Sequence, residues 1–131
     1  MSTELLEQLP TFIRGHQLAN IPDGDAEDDY YESEHVETEN IEAADIILSF
    51  DKATKEHRPV LDIDFPLHVV PSSTEGHFHL YLDKPMSWFK YKRLISALAD
   101  AGIIEDGYAA VSLDRKYTSV RLPWVKKNKE Q

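Results

Sequence analysis

Between Ala44 and Leu82 the apolar residues fall at every second position in successive runs, and after Pro85 their spacing changes to that of a helix. Ile46, Leu48 and Phe50 alternate within residues 44–50, which predicts a strand. In residues 59–66, Leu61, Ile63 and Phe65 point one way and Asp62 and Asp64 the other, which predicts a second. Residues 67–70 lead into a turn at 71–76. Residues 77–83 then read as a third strand, with Phe78, Leu80 and Leu82 on one face and His77, His79, Tyr81 and Asp83 on the other. Trp88, Tyr91, Leu94, Ile95 and Leu98 form a helical stripe that Ser87 opens as N-cap and Gly102 closes, so a packed helix is expected over residues 87–101. Residues 107–111 and 117–122 read as two further strands. Residues 2–9 carry a capping hydroxyl and early acids before Pro10, the signature of a short N-terminal helix. The predicted fold class is α+β, an antiparallel sheet of about four to six strands with one well-defined helix against it.

A chain of 131 residues and 15.0 kDa suits a single domain, residues 1–131. Within it, residues 22–43 read as an acidic and partly disordered loop, 44–124 as the α+β core and 125–131 as a basic tail. Hydrophobic residues make up 41% of the chain and the mean hydropathy is -0.46, enough for a core and too little for a membrane protein. No stretch approaches about eighteen uninterrupted apolar residues, and acids stand near the N-terminus where a secretion signal carries bases. The expectation is a soluble cytoplasmic protein with no membrane partner. Cysteine is absent, which excludes disulfide scaffolds, thiolate metal sites and cysteine nucleophiles. A metal is left with carboxylate, imidazole or carbonyl ligands.

The net charge of -10 is unevenly distributed. Residues 1–58 hold fifteen acids against Arg14, Lys52, Lys55 and Arg58, a balance of -11, while residues 59–131 hold nine acids and ten bases. Ten of the acids lie in residues 22–42, where there is no base. There Asp23, Asp25, Glu27, Asp29 and Glu34 fall at calcium-loop spacing, but Asp28 occupies the place that such a loop reserves for glycine, and a solvated acidic loop is the simpler reading. Six bases and no acid lie between Arg115 and Lys129. Since local potential and screening govern association, the overall acidity does not exclude a nucleic-acid partner.

The residue types that bear on chemistry lie in the second half. Asp62 and Asp64, at i and i+2 on the expected strand, share a face and invite Mg2+ or Mn2+. His77 and His79 repeat that spacing on the next strand and would join the carboxylates on one sheet face, although histidines so placed also serve as plain solvent-facing residues. Arg121, Lys126 and Lys127 are candidate phosphate contacts, as are the hydroxyls of Ser72 and Ser73, which any turn could equally use.

Leu-Asp-Ile-Asp-Phe at 61–65, Ser-Ser-Thr-Glu-Gly-His-Phe-His-Leu-Tyr at 72–81, and Asp114 followed by Arg121-Leu122-Pro123 and Lys127 resemble, in order, the motifs of archaeo-eukaryotic primase and primase-polymerase domains. The resemblance covers residues 59–128 and implies that Asp62 and Asp64 hold a catalytic metal with Asp114 as third acid. It further implies that His79 touches the nucleotide phosphates, and that Arg121 with Lys126 or Lys127 contacts phosphate. Only twelve residues separate Asp64 from His77, and Trp124 stands where the family carries glycine, so the implied form is a reduced domain that keeps binding. The same segments also resemble small proteins of bacteriophages that infect actinobacteria, which implies a phage origin and no particular activity.

Two functions follow as expectations. In the first, the protein binds a nucleotide or nucleic-acid phosphate through a divalent ion on Asp62 and Asp64, with His79 and Arg121 stabilising the charge and His77 as a further phosphate contact; whether catalysis follows is left open. In the second, it is an acidic DNA mimic or host-protein-binding module that acts through residues 23–45.

Overall fold

Strand β1 (His16–Asn20) organises the first half of the chain, entered from a 3-10 turn at Thr11–Gly15. The computed structural model describes residues 8–21 and 35–126, and the chain divides into two compact units, Met1–Asp62 and Ile63–Gln131. In the first, β2 (Val36–Thr38), β3 (Ile46–Asp51) and β4 (Glu56–His57) complete a sheet of order β2-β1-β3-β4 in which every neighbouring pair is antiparallel. Leu18 lies opposite Thr38 on one side and Ile47 on the other, and a register shift between His16 and Leu18 then brings His16 opposite Asp51. The buried apolar side chains here are Ala19 and Ile21. The strand end is tied by a reciprocal pair: Asp45 N donates to Ala19 O at 3.0 Å and Ile21 N to Asp45 Oδ2 at 2.8 Å.

Asp51 is buried at 2% exposure, so its carboxylate must find donors within the protein. It accepts from Ala53 N at 2.9 Å, Thr54 N at 3.3 Å and Arg58 Nε at 3.0 Å, closing the turn between β3 and β4. Gly15 lies directly beside it: a Cβ there would stand 2.6 Å from both carboxylate oxygens. Burial raises the Asp51 pKa, but the Ala53 and Thr54 N–H groups and the Arg58 guanidinium outweigh it, and the carboxyl is held below its ordinary value.

The second unit holds a β-hairpin and two helices. Strands β5 (Leu67–Pro71) and β6 (Phe78–Leu82) pair in the register Leu67–Leu82, Val69–Leu80 and Pro71–Phe78, which gathers these apolar residues on one face, and His68–Tyr81 and Val70–His79 on the other. Helix α1 (Trp88–Asp100) begins at Ser87, whose hydroxyl accepts from Lys90 N. It ends in a Schellman motif: Gly102, at φ 77°, donates to Ala99 O and Ile103 N donates to Leu98 O. Helix α2 (Asp106–Arg115) follows, and Ile95, Ala109 and Ser112 are the buried side chains of the helical pair. The chain beyond α2 is held to the helices by a 2.6 Å hydrogen bond between Tyr91 Oη and Thr118 Oγ1, and by Tyr108 Oη donating to Ser119 O at 2.9 Å.

The α+β class, the strand at 44–50, the strand at 77–83 and the helix at 87–101 agree with the sequence reading. Other elements differ. Residues 59–66 join no ladder: prolines at both ends remove donors, and Leu61 is 76% exposed with no strand beside it. The strand that pairs with β6 is instead β5, within residues read as a lead-in to the turn. Residues 107–111 are helical, because Ala109 and Ala110 favour helix while Asp106 and Arg115 match the dipole ends, and the two-residue alternation there is incidental. Residues 117–122 form no strand either, being occupied with the tyrosine hydroxyls. Part of the acidic loop, residues 36–38, is β2, while residues 22–34 lie outside the described residues, as does most of the expected N-terminal helix.

Two outcomes are expected. Gly15→Ala lowers stability by about 1–3 kcal/mol through crowding, and the penalty largely vanishes in an Asp51→Ala background, as a double-mutant cycle by denaturant unfolding would show. Because the folded Asp51 pKa lies below the unfolded one, its contribution is present above the unfolded value and is lost as pH falls through the folded value. Acid titration of the unfolding midpoint should therefore show a shallower low-pH decline in Asp51→Asn than in the wild type.

Candidate functional site

The turn joining β5 to β6 uses the small polar residues for its own closure. Ser72 Oγ donates to Thr74 O and accepts from Thr74 N, both at 3.1 Å, Ser72 N donates to His77 O at 2.9 Å, and Gly76 takes φ 79°. The Ser72 hydroxyl is thus engaged on both sides, and Ser73 is left exposed at the turn. His77 lies just outside β6 and is exposed; His79, half-buried, shares its hairpin face with His68, Val70 and Tyr81.

The carboxylates are placed differently from expectation. Asp62 and Asp64 are both exposed on a segment without a ladder, and the boundary between the two units falls between them, so the shared strand face that would converge them on one ion is absent. Asp114 is exposed near the end of α2, and Arg121 and Lys126 are exposed in the segment after it; Lys127 lies outside the described residues. Among the described residues no group of three or more histidine, aspartate or glutamate side chains is arranged to hold a metal.

What the second unit does assemble is a ring with cations. Phe89, Lys92 and Arg93 fall at i, i+3 and i+4 of α1, on the side away from Tyr91 and Ile95. Phe89 is 61% exposed, with Lys92 Nζ 5.3 Å and Arg93 Cζ 5.8 Å from its ring centroid. Lys90 is exposed in the first turn. Among the described residues none of these three cations has an ion-pair partner, and residues 84–99 contain four bases and no acid. This cluster was legible in the sequence: the spacing places it opposite the apolar stripe, but attention to acid pairs passes over it.

In the first unit a shallow groove of about 290 Å³ runs beside Gly15, His16, Thr38, Glu39 and Lys52. His16 is buried and donates Nδ1–H to Leu48 O at 2.6 Å, and among the described residues its buried Nε2 has no hydrogen-bond partner. Lys52 donates to Glu37, and that hydrogen bond, with the charges of Glu37 and Glu39, raises the lysine's pKa against the effect of burial. The groove therefore presents a neutralised lysine and an inward-facing histidine, a poor surface for a phosphate.

No known protein family matches the chain, and neither does any curated protein or solved structure. No helix among the described residues is long and apolar enough to cross a membrane.

With both carboxylates exposed and without an ion-pair partner among the described residues, Asp62→Asn/Asp64→Asn should leave the thermal midpoint unchanged in metal-free buffer. Mg2+ alone should shift wild type and double variant alike, as differential scanning fluorimetry can establish.

Proposed function

We propose that the protein binds the phosphates of a nucleotide or nucleic acid through the cations of α1, with the bases that follow α2 as secondary contacts. The observation that carries this reading is the set of exposed cations Lys90, Lys92 and Arg93 on the first turns of one helix, none of which has an ion-pair partner among the described residues. Stability does not account for their placement: a cation in the first turn opposes the helix dipole, and no carboxylate nearby offsets it. Phosphate supplies the missing countercharge. The motif resemblance to primase domains points to the same ligand class. On that basis His79 is a further nucleotide contact, and the reading is of a reduced domain that retains binding. A divalent ion such as Mg2+ or Mn2+ enters with the phosphates and keeps most of its own water ligands, as Mg2+ commonly does.

A second reading draws on the first half of the chain. The balance of -11 over residues 1–58 favours an acidic module that offers residues 23–45 to a nucleic-acid-binding host protein. The two readings place the binding surface in different halves and are separable.

Fluorescence anisotropy with a labelled oligonucleotide tests the first. Lys92→Glu/Arg93→Glu should weaken binding at least tenfold and reduce the slope of log affinity against log salt by about one for each phosphate that the variant no longer engages. Unchanged affinity and slope in that variant would refute it, and abolition of binding only on neutralising acids in 23–45 would favour the second.

A further inference from the structure

We infer that the ligand is single-stranded nucleic acid, with Phe89 as a platform on which a base stacks; this deepens, and rests on, the phosphate-binding reading. Several apolar side chains of this unit are exposed, and what sets Phe89 apart among the described rings is that two cations lie within 6 Å of it, where Phe65 has one in Lys84. Phe89 itself is 61% exposed. The cluster offers an exposed aromatic ring with two cations held over it, and a nucleotide with an unpaired base offers the complement of both parts: a base to take the cations' place over the ring and phosphates to receive the displaced charges. The same interleaving recurs beyond α2, where Tyr117 at 56% and Trp124 at 74% exposure alternate with Arg115, Lys116, Arg121 and Lys126, without an acid between.

The competing ligands satisfy only part of this surface. Duplex nucleic acid presents phosphates but keeps its base faces stacked. An acidic peptide pairs the cations and leaves the ring in water. A membrane surface needs a helix with a free apolar face to insert, whereas the apolar stripe of α1 is committed to the helical pair through Ile95 and to the following segment through Tyr91.

The test measures anisotropy with the full chain on three probes: a thymidine oligonucleotide, a duplex of equal length, and vesicles containing phosphatidylserine. Wild type is expected to prefer the single strand. Phe89→Ala and Phe89→Leu should each weaken binding about tenfold on the single strand and little on the duplex, while Phe89→Tyr retains affinity. Since the ring is exposed, circular dichroism melts of these variants should match wild type, and the leucine variant separates stacking from simple apolar contact. Equal affinity for single strand and duplex, with no effect of Phe89→Leu, overturns this inference and leaves the phosphate reading standing. Absence of binding to either nucleic acid overturns both. Tighter association with the vesicles than with the oligonucleotide assigns the surface to lipid and overturns the inference as well.

Discussion

Apolar burial is scarce among the described residues, and the buried polar contacts and caps matter the more for that shortage. Among the described residues the buried hydrophobic side chains are Ala19, Ile21, Ile95 and Ala109, two of them no larger than a methyl group. Small cores leave backbone and polar groups to hold the geometry. In the first unit the task falls to Asp51, a buried carboxylate that three donors satisfy and that Gly15 makes room for. The second unit relies on caps: Ser87 at the start of α1, the Gly102 motif at its end, and Lys116, which takes φ 70° to close α2. The donors to Asp51 and the helix caps are local in sequence, whereas the packing of Gly15 against Asp51 joins residues far apart in the chain.

The local contacts explain how much could be read from the chain. The helix at 87–101 was legible because period, N-cap and C-terminal glycine all agree. The strands at 44–50 and 77–83 were legible for the same reason, each having a partner strand to receive its ladder. Alternation failed as a guide where the partner was missing: Leu61, Ile63 and Phe65 repeat perfectly, yet Pro59 and Pro66 withhold donors and nothing pairs with the segment between them. It also failed at 107–111, where alanine propensity and end charges decided for helix. Strand β1 was unread because His16-Gln17-Leu18-Ala19-Asn20 is neither alternating nor rich in β-branched residues; its place in the middle of the sheet comes from partners far along the chain.

The expected shared strand face of the carboxylates is missing for a related reason. Convergence of Asp62, Asp64, His77 and His79 depended on one sheet and one register, and a hypothesis resting on register has no tolerance for a missing strand. A helix face needs no such agreement. Lys92, Arg93 and Phe89 are brought together by the rise and turn of α1 alone, so their proximity follows from the most secure element of the chain. His79 keeps the face expected of it, opposite Phe78 and Leu80, but its neighbours there are His68 and Tyr81.

The described edges of the four-stranded sheet have a bearing on how the protein behaves when crowded. Strand β2 spans three residues with Glu37 at its centre, and β4 spans two, beginning at Glu56. An incoming strand from another molecule would find at either described margin a ladder too short to register on. The brevity of β2 and β4, more than their charge, is what withholds a template from a second copy, since Glu37 is already paired with Lys52.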